Sequence, residues 1–348
     1  MHEAILYGVP RVAYNTVSCT PFPMCIVSCA AYLGIPMSYQ KAVCECGAAF
    51  RFAWNTAQWD GGNVDAILTF DDPLKVYACG FRAMGREMRF VGRSKKTKKQ
   101  EFTDFIRPEI DNGNPVIALG VIGPPEAGVV TGYRNDGETL MGWNVFQNFP
   151  EYQSGIKFLE NGYYITSHWW ENHDTKAVFA AGETHVPGFT PGEVLRNACD
   201  ALNGRMHGTY AKGLMAYDAW RDALLDDRAF SPDILLPMLT ERMMCHGDAM
   251  DCLSDGRGYA AAYLRELAAA HPEQAENLRA AADSFEQVRR IIWQEMMPVL
   301  GSWERSEREM RALARPETRR LFAGLIGRMK AQDARGLELL RAAADHMA

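Results

Sequence analysis

The sequence holds 348 residues, 47% of them apolar and 23% charged, with a formal net charge of −6. That length suits two ordinary domains, and that balance belongs to a globular chain and not to a disordered one. Mild acidity argues against nucleic acid as a partner, which needs concentrated Lys and Arg, and no window approaches the ~20 apolar residues of a membrane helix.

No N-terminal segment combines a basic region, an apolar core and a small-residue cleavage site, so export is not expected. The nine cysteines are odd in number and lack framework spacing. They read as free thiols of a cytoplasmic protein.

In chain order, a helix is expected from Pro21–Pro23 through Leu33, stopping at Gly34, where a residue without Cβ turns left-handed. A second amphipathic stretch covers 38–45 and leads into Cys46-Gly47-Ala48-Ala49-Phe50. Asp72–Met84 reads as a helix with Pro73 in its first turn. The basic run Arg93–Lys99 reads as a solvated loop or helix start. Strand signals come next at 115–120, 127–133, 139–146 and 162–167, and Asp136-Gly137 between the second and third marks a hairpin.

Near Val186–Pro191 the composition shifts to Ala, Leu, Arg, Glu and Met. Thr190-Pro191-Gly192-Glu193 has the form of a capping box, Ser231-Pro232-Asp233 opens another helix, and Pro272 and Pro298 divide the later helical stretch. Five or six antiparallel helices are expected. The predicted organisation is therefore α+β for residues 1–185 and an all-α helical bundle domain for residues 186–348.

Cys19 and Cys25 lie near the first helix start, where the helix dipole favours a thiolate. A thiol nucleophile needs a base, and His168 is the nearest candidate in kind, although Glu126 and no histidine stands before the 127–133 strand. Cys44-x-Cys46 is too tight for a zinc pair, so no metal and no cofactor is expected. Arg51 and Trp54, the turn Gly123-Pro124-Pro125-Glu126, and Trp143, Asn144 and Gln147 mix polar groups with aromatics. They are candidates for the lining of a small-molecule pocket.

The run 15–34, Gly47–Arg51, Gly61-Gly62-Asn63, and the block from Ala118 through Gly123-Pro124-Pro125-Glu126 to Tyr133, Gly142-Trp143 and Phe146-Gln147 resemble an uncharacterised bacterial family related to the N-terminal domain of butirosin biosynthesis protein H. More distantly the chain is similar to papain-like peptidases that process bacteriocin leaders. The likeness covers about the first 170 residues. It implies a papain-like core, with a cysteine at the head of the first helix packed against an antiparallel sheet. It also implies acyl transfer from an acyl carrier protein to an amine or, from the peptidases, peptide cleavage, although Glu126 argues against an ordinary peptidase. Glu126 occupies the place where those peptidases carry histidine, and a carboxylate replaces imidazole as a base near neutrality only if its pKa is raised.

Two functions are compatible with these residues. One is a cysteine-dependent acyl transferase or amide hydrolase acting on a small molecule, with Cys19 or Cys25 as nucleophile, Glu126 as acid/base or amine-binding group, and Asn144 or Gln147 orienting or stabilising an oxyanion. The other is a non-catalytic protein that binds a small molecule in a degenerate papain-like pocket lined by Glu126, Arg51, Trp54 and Trp143. The sequence leaves the oligomeric state open.

Overall fold

A computed structural model describes residues 2–15, 17–231 and 233–347. The chain forms β1 (Ala4–Ile5), α1 (Pro21–Tyr32), α2 (Tyr39–Glu45), β2 (Ala53–Asn55), α3 (Lys75–Ala83), β3 (Arg86–Gly92) and α4 (Lys99–Asp111). Next come β4 (Val116–Leu119), β5 (Ala127–Arg134), β6 (Thr139–Asn144), β7 (Lys157–Phe158), β8 (Tyr164–Thr166) and β9 (Ala177–His185). After these stand α5 (Pro191–Leu202), β10 (Arg205–His207), β11 (Tyr210–Lys212), α6 (Leu214–Leu225) and α7 (Leu236–Ala270). The last helices are α8 (Ala275–Arg290), α9 (Met297–Leu300), α10 (Glu307–Ala314) and α11 (Pro316–Ala344). The protein is α+β, with antiparallel sheets and a helical C-terminal region. Among the described residues, no helix is long and apolar enough to cross a membrane.

Two compact units are present: Met1–Ala42 with Tyr77–Gly188, and Val43–Val76 with Phe189–Ala348. The later boundary falls near the expected one, but the division into 1–185 and 186–348 needs correction, because Val43–Val76 belongs to the second unit. Three contacts inside that unit explain why. The fully buried Arg257 of α7 donates to the carbonyls of Ala49 and Arg51 at 2.6 and 3.2 Å, and forks onto the equally buried Asp333 of α11. Trp54 stacks on Trp220 of α6, and Phe52 meets Trp220 edge-on and Tyr217 at a tilt. β2 pairs with β11.

The first unit is built on an antiparallel sheet ordered β3-β9-β4-β5-β6-β8-β7, with β1 on β5. β4, β5 and β6 are buried almost throughout. The β5–β6 hairpin turns through Asn135, Asp136 and Gly137, all left-handed, which is the backbone that the Asp-Gly signal predicts. α1 packs on β5 and β4, and α4 packs on β9, β3, β4 and β5. Nearly every residue of α1 is buried, so it is apolar all round instead of amphipathic. Thr20 is its N-cap, Pro21 and Pro23 occupy its first turn, and Gly34 (φ +70°) turns the chain at its end as expected. β3 and β9 lie outside the predicted strands.

The second unit departs from the all-helical expectation. β10 and β11 form a hairpin that joins β2 in a three-stranded sheet, a long-range pairing that local composition does not reveal. The capping box that opens α5 is present, with the Thr190 hydroxyl accepting from the Glu193 amide and the Glu193 carboxylate accepting from the Thr190 amide. The expected helix start at 231–233 includes Pro232, which lies outside the described residues; α7 begins at Leu236. Pro272 comes just after α7 as expected, and Pro298 sits in α9, just after a π-helical turn at Ile291–Met296.

Candidate functional site

The two candidate thiols have different surroundings. Cys25, in the second turn of α1, is completely buried. Burial first, then the neighbouring Cys29 and the charge of Glu126, push its thiol well above the ordinary range. Cys25 is therefore a protonated core thiol, the reverse of an activated nucleophile. Cys19 precedes the N-cap of α1 and is partly exposed. The adjacent Thr20 amide donates to the Tyr39 hydroxyl at 3.1 Å.

Glu126 closes the loop between β4 and β5. Its amide donates to Pro124 O, and its carbonyl accepts from Gly120 N. Its carboxylate acts on Cys25 electrostatically, so the structure does bring these two predicted residues together, but the charge opposes thiolate formation.

Asn144, Gln147 and Trp143 are structural in their contacts. The Gln147 side chain accepts from the Asn144 amide at 2.9 Å and donates to Gly162 O at 3.0 Å, while Asn144 Oδ1 accepts from the Phe146 amide. Together they fold the turn that ends β6. Asn144 Nδ2 is buried without a partner. The Trp143 indole donates to Val9 O and meets Tyr163 edge-on, so it fills core space. Arg51 and Trp54 belong to the second unit. Arg51 spends its guanidinium on the carbonyls of Val64 and Ala48, and Trp54 sits in the aromatic core. The expected ligand-binding roles of Arg51, Trp54, Trp143 and Gln147 are thus corrected to core and turn roles. The polar groups of Arg51, Trp143 and Gln147 have internal partners, and such satisfied contacts cannot be read from composition.

An open cleft of about 490 Å³ lies instead within the first unit. One wall is the 121–124 loop, the start of the Gly-Pro-Pro-Glu turn that the sequence singles out. Gly120 and Gly123 both have positive φ there, and a Cβ at Gly120 would lie 1.8 Å from Asp174 O. Only glycine lets that loop approach the 172–175 segment. Asn172 then ties the two together, donating from Nδ2 to Gly120 O and Gly123 O at 2.7 and 2.8 Å.

The remaining wall carries Glu151, Tyr152, Thr166, His168, Glu171 and Asp174. His168 is exposed and its ring lies close over Gly155, whose φ is +76°. No Lys or Arg lines the cleft. Asp174 has the exposed Lys176 at 3.4 Å. Burial, together with the charges of Glu151 and Asp174, raises the Tyr152 hydroxyl above its ordinary pKa, as a negative local potential requires. Apart from His168, sequence reasoning missed these wall residues. The available signal was the density of acidic and aromatic residues between 149 and 174.

Among the described residues, no group of three or more His, Cys, Asp or Glu is arranged to hold a metal ion. No known family matches the chain, and no curated protein is similar to it.

Proposed function

We propose that the first unit binds a small, amine-bearing cation in the cleft flanked by Glu151, Glu171 and Asp174. The observation that carries this reading is a concave site of about 490 Å³ whose charged lining is three carboxylates, with His168 as its one titratable base. That volume suits a small molecule, and a concave wall of one charge sign concentrates ligands of the opposite sign. Val121, Ile122, Pro124 and Ile156 offer apolar surface for the body of such a ligand. Titration calorimetry with spermidine, set against neutral and anionic compounds of similar size, tests the reading. Saturable binding of the amine that weakens with salt is the expected result, and equal affinity for the anion sinks it.

A second reading rests on Cys19. It is the partly exposed thiol of the two candidates and stands at the head of α1, which packs against antiparallel strands. That placement supports a papain-like core and acyl transfer, in which the Cys19 thiolate attacks a thioester carbonyl and expels the donor's thiol, and a neutral amine then takes the acyl group as an amide, its proton passing to the released Cys19 thiolate. Iodoacetamide labelling near neutral pH distinguishes the readings: preferential modification of Cys19 supports transfer, and labelling no faster than that of a free model thiol removes it.

A further inference from the structure

In the first unit, β3 and the turn that follows it bring an unpaired strand edge next to a group of unpaired cations. The sheet ends on β7 at one side and on β3 at the other. β7 has two residues, and so short an edge resists further pairing. β3 has seven, and its bulge lies at the far end, between Arg86 and Met88. Met88–Gly92 therefore pairs with β9 without interruption, while its outer N–H and C=O groups have no strand beside them among the described residues. Phe90 stacks on Phe179 yet remains 44% exposed.

Five of the seven residues from Arg93 to Lys99 are cations, and the fold uses two of them. Arg93 lies 3.8 Å over the Trp170 ring and donates to the carbonyls of Trp170 and Asn172 at 3.0 and 2.9 Å. Lys99 pairs with Glu138 at 2.6 Å. Lys95, Lys96 and Lys98 are exposed and have no acidic partner for their ammonium groups among the described residues. The turn that presents them is fixed. Its Ser94 and Lys96 amides donate to the Thr97 and Ser94 hydroxyls, and the Lys98 amide donates to the Glu101 carboxylate.

Lysines that only guard an edge stand on the strand itself, where they block pairing. Met88–Gly92 carries no lysine, and its one cation, Arg89, is paired with Glu109 of α4. A second copy of the chain suits this edge badly. Antiparallel pairing of β3 with itself turns Arg86 of each copy toward the lysine turn of the other, and like charges oppose that contact.

We propose that β3 is a docking edge for an extended, acidic segment of another protein, which adds as a further strand and lays its carboxylates on Lys95, Lys96 and Lys98. Main-chain hydrogen bonds supply the pairing, Phe90 offers an apolar contact, and the three ammonium groups select for acid.

Two dye-labelled peptides, with Asp-Glu-Asp placed before or after Val-Thr-Ile-Thr-Val, test this when the intact protein is titrated into each and anisotropy is read. Saturable binding of either peptide is expected, about tenfold or more tighter than its Lys-Lys-Lys counterpart and weaker as salt rises. Joint charge reversal by Lys95→Glu, Lys96→Glu and Lys98→Glu should lower that affinity about tenfold or more. N-methylation of alternate peptide amides removes strand hydrogen bonds and leaves the protein unaltered, so it serves even if the triple variant folds poorly. One of the two alternating patterns should weaken binding by a similar factor. The proposal is overturned by the absence of saturable binding, by an affinity unchanged on charge reversal, or by indifference to both N-methylation patterns. Tighter binding of a single-stranded oligonucleotide of equal charge overturns it too, as does a dimer in which β3 pairs with itself.

Discussion

Arg257 and Asp333 in the second unit are completely withdrawn from water, yet every arm of the guanidinium has an acceptor and the Tyr217 hydroxyl completes the carboxylate. In the first unit, Glu151, Glu171 and Asp174 stand around an open cleft, with an exposed lysine beside one of them. The comparison separates two uses of charge. A buried ionic group whose partners are all supplied by the fold is part of the scaffold. Carboxylates gathered at a concave surface without basic lining keep their binding capacity for something else.

The largest expected effect falls on the scaffold side. Arg257→Ala leaves Asp333 buried without its counter-ion and should cost about 3–5 kcal/mol in chemical denaturation. A loss below about 1 kcal/mol would mean that the pair is not the internal anchor of Val43–Val76. Next in size is Gly120→Ala, which places a Cβ into the Asp174 carbonyl at positive φ and should cost about 2 kcal/mol or more while distorting the cleft wall. Unchanged stability together with unchanged spermidine binding would break the account of that loop.

Stability of the second unit should also depend on pH through Asp251. Its folded pKa is raised, so the stabilisation it offers is complete below about pH 4 and is lost as pH rises through about 7. Denaturation midpoints should fall over that window and flatten in Asp251→Asn; a rise with pH in the unaltered protein gives the sign the opposite way. The smallest effect on the fold, and the sharpest on the cleft, comes from Glu151→Gln with Glu171→Gln. Spermidine affinity should drop roughly tenfold while unfolding free energy shifts by no more than about 0.5 kcal/mol. Loss of stability without loss of affinity would place these carboxylates with the scaffold instead.

Local chemistry made much of the fold legible. The Asp136-Gly137 hairpin, the Thr190/Glu193 box and the Gly34 stop each depend on a few adjacent residues and appear where the sequence places them. β9, with four alanine and glycine residues in nine, lacks the β-branched density of a strand, and β3 is half exposed at the sheet edge, so neither signals itself. The candidate site was half legible. Gly123-Pro124 stands out in the sequence because glycine and proline constrain the backbone, whereas the facing wall at 151–174 joins it through long-range contacts such as those of Asn172.

The sequence by itself determined the α+β character, the change to helix-rich composition near residues 186–191, and the turns and caps, because these are short-range consequences of residue type. The tertiary structure alone decided that Val43–Val76 joins the later helices, that Arg51 and Trp54 are scaffold, and that Cys25 is an inert core thiol while Cys19 keeps solvent access. The physical reason is common to all of these. Whether a polar or nucleophilic group is satisfied, silenced or available depends on partners and burial supplied from distant parts of the chain, and neither is encoded in the residues beside it.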